Sequence, residues 1–308
     1  MTIRKFEGQV AEKIRSLSKK LPEPLKVHPT HLIYIDEETY FEKLKIRLEK
    51  GGKELPKNSS IDAFSLAKQA IMALILAGRV SFSMHGNFCL AKNGNKYEPK
   101  SYANTDFFGM PNITASALLK DTGNWPPINN SKVSRYGKML DRYYRAGIWW
   151  VDRYAMALSH FWGALCTQFA DQALLGVTSS LECLLSTTKT EITHTLAERS
   201  ALILHKASGD RFDKYNQVKN IYKVRSNLVH GKAFVKKGTI NWDTLCVSPK
   251  MMIVPISVLA QAFDTTINVL IEVIHNKKLM SLIQTKKHEA KITKDLNNYY
   301  TQALFNAF

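Results

Sequence analysis

The sequence predicts a mainly α protein in two parts: an N-terminal α+β domain over residues 1–132, then a C-terminal α-helical bundle over residues 133–308 that ends in a basic segment. Three observations carry that reading. Residues 79–108 alternate short apolar and polar runs around Gly-Asn breaks, the pattern of strands joined by turns. From about Val133 the apolar residues recur every three to four positions over long stretches, the period of helices with one buried face. Between the two, Gly123–Lys132 ("GNWPPINNSK") has the composition of a linker.

In chain order, residues 1–50 read as two short helices around "LPEPLKVHPTH", where Pro22, Pro24 and Pro29 forbid a continuous helix. Gly51 and Gly52 end the second. Ser59, followed three residues on by Asp62, resembles a capping box. Behind it Phe64, Leu66, Ala67, Ala70, Ile71, Leu74 and Ile75 recur at helical spacing up to Gly78, which predicts a core helix of the first domain. His85-Gly86-Asn87 and Asn93-Gly94-Asn95 are turn signals within a small antiparallel sheet. Residues 142–186 contain no proline and read as two helices, broken near Gly176 or earlier. Further helices are expected over 191–206, over 210–230 up to Gly231, and over 256–278.

The 308 residues are 45% hydrophobic, which supplies a core and excludes a disordered or fibrous class. Lys and Arg number 43 against 26 Asp and Glu, a formal charge of +17 spread along the chain. Such an excess points to a polyanionic partner, most simply nucleic acid, or else to a basic surface with no partner. Cys89, Cys166, Cys183 and Cys246 form no C-x-x-C pair, and free thiols suit a reducing cytosol. The first twenty residues lack the apolar region of a signal peptide. The longest strongly apolar run, Ala70–Ala77, falls short of the roughly 20 residues that span a bilayer. The expectation is a cytoplasmic protein without a membrane partner.

Chemistry concentrates in "YKVRSNLVHGKAF", Tyr222–Phe234. Arg225 and His230 sit five positions apart at the end of a helix. Histidine exchanges a proton near neutral pH, and arginine can grip a phosphate through two parallel hydrogen bonds. On RNA, His230 can take the proton of a 2′-hydroxyl or give one to the departing 5′-oxygen. Arg225 can hold the charge that builds on the phosphorus centre. No metal or other cofactor is needed, because the 2′-hydroxyl is already the nucleophile. The structural alternative is a solvated arginine and a histidine capping a helix C-terminus, where the helix dipole favours a cation. Five residues turn a helix by about 140°, so one copy does not aim both groups at one point. Glu182, among Leu181, Leu184 and Leu185, is a part-buried carboxylate that either orients Arg225 or His230 or ties two helices together.

The stretch "YKVRSNLVHG" resembles the signature of HEPN domains: an arginine, four to six residues, then a histidine, near the end of a helix in an all-helical bundle. The likeness is closest to the Apea-like HEPN group, through Arg225, Ser226, Val229, His230 and Gly231. Upstream, "LLGVTSSLECLLS" with Glu182 resembles that group's earlier helix around a Leu-Glu pair. The resemblance spans roughly residues 150–275. Many HEPN families carry Asn directly after the arginine; here Ser226 stands there and Asn227 follows. The resemblance implies a HEPN-like bundle and a metal-independent endoribonuclease of the toxin or antiviral-defence kind. It implies Arg225 and His230 as catalytic pair, with Glu182, Ser226 and Asn227 in support. It also implies a homodimer that brings two motifs into one cleft.

Lys223, Lys232, Lys236 and Lys237 flank the motif and are candidates for RNA phosphate contacts, and a regulatory protein is a second candidate partner. The lysine run at 277–294 reads as a phosphate track or as a solvated helix face. His160, His194 and His205 lack metal-ligand spacing, and the aromatic pairs Trp149–Trp150 and Phe161–Trp162 read as core or interface. Two other functions stand beside the ribonuclease: a non-catalytic HEPN-like module that dimerises and binds nucleic acid, alone or within a larger complex, and a regulator whose N-terminal domain binds DNA.

Overall fold

The computed structural model describes residues 2–5, 31–34, 71–77, 87–93, 96–103, 130–145, 153–167, 169–187, 191–204, 208–230, 254–283 and 289–305. The N-terminal pieces are mostly strand. β1 (Thr2–Lys5) pairs antiparallel with β2 (His31–Tyr34), Thr2 opposite Tyr34. Both fall where helices are expected from sequence, and for these residues that expectation is corrected. Each carries a β-branched or aromatic residue, and a cross-strand partner supplies hydrogen bonds that one isolated helical turn cannot. The remainder of the two expected helices lies outside the described residues.

β3 (Asn87–Asn93) and β4 (Lys96–Ala103) also pair antiparallel, with Asn93 opposite Lys96, so only residues 94–95 separate the strands. The register shifts where Leu90 meets Pro99, a residue with no N–H to give the ladder, and Lys100 is left over as a bulge. Of the helix expected after Ser59, residues 71–77 are described and helical. Ile71, Met72 and Ile75 are fully buried and belong to the same hydrophobic cluster as the C-terminal helices.

The rest of the described chain is a helical bundle: α1 (Asn130–Arg145), α2 (Arg153–Cys166), α3 (Ala170–Leu185), α4 (Ile192–Leu204), α5 (Ser208–Val229), α6 (Ile256–His275), α7 (Lys277–Ile283) and α8 (Glu289–Phe305). α1 begins at Asn130, inside the stretch read as linker. α2 packs along α3 and α4 along α5, while α6 runs through the middle against α3, α4 and α5. Among the described residues α6 is the one helix long and apolar enough to cross a membrane. Its Leu259, Phe263, Val269 and Leu270 are instead buried in the bundle, Phe263 edge-on to Phe161 of α2. Tyr154 of α2 donates to the Leu270 carbonyl at 3.1 Å, so a buried hydroxyl is satisfied where the two helices meet.

The proline-free stretch breaks at Thr167–Phe169, the earlier of the two places that the sequence left open. Thr167 Oγ1 accepts the Phe169 N–H at 3.3 Å and donates to Gln172 Oε1 at 2.9 Å, while Phe169 is extended. A hydroxyl that bonds nearby backbone competes with the helix ladder and ends it. Gly176 lies inside α3 and serves close packing. A Cβ there would sit 3.0 Å from Ala164 Cβ and 3.1 Å from the His160 carbonyl oxygen, both on α2. The expected helix over 256–278 is likewise divided. Asn276 Oδ1 accepts the Leu279 N–H at 3.0 Å and so starts α7, and its Nδ2 donates to Tyr299 of α8 at 2.6 Å.

Two arginines hold the C-terminus of α3, where carbonyls lack helical partners and the helix dipole favours cations. Arg153 Nε donates to the Cys183 carbonyl at 2.6 Å, and its Nη2 to the carbonyls of Glu182 (3.4 Å) and Ser186. Arg199, itself buried, donates to the Leu185 carbonyl at 2.5 Å, to Thr187 Oγ1 at 2.9 Å and to Asn297 Oδ1 at 2.7 Å. Its guanidinium lies 4.5 Å from the centre of the Tyr300 ring. α3, which carries Glu182, is thereby anchored on one side by α2 and on the other by α4 and α8.

Candidate active site

Glu182 sits one turn before the end of α3, between Leu181 and the Leu184–Leu185 pair, all three fully buried. Its carboxylate faces α5. Glu182 Oε1 lies 3.2 Å from Arg225 Nη2, and the two side chains are 25% and 28% exposed, which makes the contact a half-buried ion pair between helices. The same oxygen accepts the Tyr222 hydroxyl at 3.0 Å. Tyr222 and Arg225 are three residues apart on α5, so they leave the same side of the helix. The guanidinium carbon lies 6.0 Å from the centre of the Tyr222 ring. Burial, and then the Glu182 charge and hydrogen bond, raise the Tyr222 hydroxyl well above its ordinary range, so it stays protonated and donates.

Arg225 Nε is also buried and finds no acceptor among the described residues. The ion pair with Glu182 is therefore the polar contact that orients the guanidinium. Beside Glu182, Cys183 is half-buried, and burial pushes its thiol up. A protonated thiol is a poor nucleophile.

His230 stands apart from this cluster. It follows the last residue of α5 and continues its ladder, with its N–H donating to the Ser226 carbonyl at 3.0 Å. Its ring is exposed and makes no hydrogen bond or ion pair with a described residue. The helix carries Arg225 inward to α3 and His230 outward, on the side where Lys219 and Lys223 are exposed. Seven residues, from Lys223 to His230, turn a helix by about 20° less than two full circles, so these two share a face. The divergence expected from the spacing is thus present in a single chain.

Ser226 contributes its backbone carbonyl to His230, and Ser226 and Asn227 are half-buried. Lys223 is exposed; Lys232, Lys236 and Lys237 lie outside the described residues. His160 and His194 are exposed, and His194 meets the Tyr215 ring edge-on at 5.7 Å. Phe161 and Trp162 belong to the core. Lys277, Lys278, Lys291 and Lys294 are exposed on α7 and α8. His205, Trp149, Trp150, Lys286 and Lys287 lie outside the described residues. Among the described residues no group of three or more His, Cys, Asp or Glu is placed to hold a metal.

A concave surface of about 580 Å³ lies away from the motif, over the first half of α5 where it meets α6. Asp210, Asp213, Lys214, Gln217, Asn220 and Gln261 line it, and none of Glu182, Arg225 or His230 does. We therefore place the candidate chemistry on the α3–α5 contact and the end of α5, where Glu182, Arg225 and His230 lie, and not in this depression.

Tyr222 is the site residue that sequence reasoning passed over. Its signal was present: it lies one helical turn before Arg225, with a hydroxyl that needs a partner once buried. No protein-family model, curated protein or solved structure matches the chain.

Proposed function

We propose that the protein is a metal-independent endoribonuclease, a toxin or antiviral-defence effector, in which Arg225 and His230 cut RNA. The observation that carries this reading is the end of α5: an arginine braced by a carboxylate at 3.2 Å, followed five residues later by an exposed histidine with no side-chain partner among the described residues. A histidine open to solvent can approach a substrate and exchange a proton with it. A braced guanidinium meets developing phosphate charge without reorganising. The net charge of +17 suits the polyanionic substrate. In this reading the bundle is HEPN-like, and the N-terminal segment forms an α+β domain that targets or regulates it, alone or with a protein partner. The protein works in the cytoplasm.

Because Arg225 and His230 leave α5 on different sides, the reading includes a homodimer. Its two-fold axis runs near residues 225–231, so that Arg225 of one copy and His230 of the other can flank one phosphate. A second reading keeps the bundle but drops catalysis: Arg225 is spent on Glu182, and the module dimerises and binds nucleic acid.

Incubation with total RNA in chelator, followed by mapping of the cut ends, separates them. The enzyme leaves 2′,3′-cyclic phosphate and 5′-hydroxyl ends. Binding without cutting favours the second reading. Magnesium-dependent fragments with 5′-phosphate and 3′-hydroxyl ends place the activity elsewhere in the chain.

A further inference from the structure

We propose that Tyr222 is a positioning residue of this site, fixing the Arg225 guanidinium through the Glu182 carboxylate that both residues share. Arg225 has one polar tether among the described residues: Nη2 to Glu182 Oε1 at 3.2 Å, with Nε buried and unbonded. Whatever fixes Glu182 therefore fixes Arg225. Glu182 is a long side chain, one-quarter exposed, and it emerges from the last turn of α3. Left alone it has several rotamers, and ordering it costs entropy. Tyr222 is rigid by comparison, with two side-chain torsions and a ring 2% exposed.

The Tyr222 hydroxyl has two acceptors in reach, Glu182 Oε1 at 3.0 Å and the Thr178 carbonyl at 3.1 Å. It has one hydrogen to give. Thr178 lies in the interior of α3, where its carbonyl accepts the N–H of the residue four positions on, Glu182 itself. That carbonyl is satisfied without the phenol. Glu182 Oε1 carries a charge, and hydrogen bonds to ionised acceptors are the stronger ones. The hydroxyl accordingly goes to the carboxylate. Glu182, Tyr222 and Arg225 thus form one connected arrangement across α3 and α5, with the carboxylate oxygen between the hydroxyl and the guanidinium.

For catalysis the inference rests on the ribonuclease reading; for geometry it does not. The test therefore has two arms on the full chain, with Tyr222→Phe as the variant, since it keeps the ring and removes only the hydroxyl. Tyr154→Phe is the control: it deletes another buried hydroxyl, the one bonded to the Leu270 carbonyl. In the first arm the Arg225 Nε–H signal is followed by NMR and assigned by its loss in Arg225→Lys. Exchange with water should quicken on the order of tenfold in Tyr222→Phe, as expected for a local opening that has lost one tether, and stay unchanged in Tyr154→Phe.

In the second arm RNA cleavage is measured. Tyr222→Phe should lower kcat on the order of tenfold, since a misaimed group costs rate even where it still binds. In a Glu182→Ala background it should lower kcat no further, because two residues acting through one contact are not additive. An unchanged Arg225 signal in Tyr222→Phe overturns the proposal, and so does a full additional loss in the Glu182→Ala background. If the Arg225 signal loosens as described but no RNA is cut by any form, Tyr222 keeps its role and the ribonuclease reading falls.

Discussion

Glu182 of α3 and Arg225 of α5 meet at 3.2 Å, each about a quarter exposed. The contact ties α3 to α5, and in the proposed ribonuclease it also orients the arginine. Energetics separates the roles. An ion pair this exposed contributes on the order of 1 kcal/mol or less to stability, whereas charge stabilisation at a reacting phosphate is worth several kcal/mol.

Arg225→Lys keeps the charge and loses the planar fork. We expect it to lower stability by about 1 kcal/mol or less and to lower RNA cleavage on the order of 100-fold. Urea denaturation and cleavage rates measured on one preparation check this. Loss of stability and activity in proportion would mean that the pair serves the fold alone.

His230 is exposed, and its side chain has no described partner. His230→Ala should leave the melting temperature and oligomeric state unchanged while cleavage drops on the order of 100-fold or more, the scale for removing a general acid or base. An active His230→Ala protein removes the proton-transfer role argued for it.

Gly176 tests the packing that places α3. Substitution by alanine gains about 1 kcal/mol of helix propensity. It also drives a methyl group against Ala164 and the His160 carbonyl at 3.0–3.1 Å. Backbone cannot step aside as a side-chain tip can, and overpacking costs about 1–3 kcal/mol. Gly176→Ala should therefore be mildly destabilising and Gly176→Val strongly so. Thermal melts of the two variants decide it; a stabilised Gly176→Ala would show that α2 can shift to make room.

His275 ends α6 with its ring stacked on Tyr136 of α1, centres 5.6 Å apart, and its buried Nε2 finds no hydrogen-bond partner among the described residues. Burial, and then the Arg135 charge, lower its pKa from the ordinary 6.5; Glu272 pulls the other way. The unfolded chain thus binds this proton more readily than the folded one. The contribution of His275 is intact above about pH 6.5 and is lost as pH falls below that. Thermal stability should decline from pH 7 to pH 5.5, and His275→Asn should flatten the decline. Equal slopes in the two proteins would remove His275 as the cause.

The sequence by itself determined the helical C-terminal part, because a 3.6-residue period is written locally in which residues are apolar. It also located the Arg225–His230 motif at a helix end, marked by Gly231, and the divergence of the two side chains, which follows from helix geometry alone. It bounded the break at Thr167–Phe169 only as near Gly176 or earlier and missed the one at Asn276, since both depend on whether a polar side chain turns back onto nearby backbone. Only the tertiary structure decided what Glu182 touches, that Tyr222 shares its carboxylate, and that Gly176 is a contact and not a hinge. Each of these is a meeting of residues from different helices. No local pattern records it, because it depends on how α3 packs against α2 and α5.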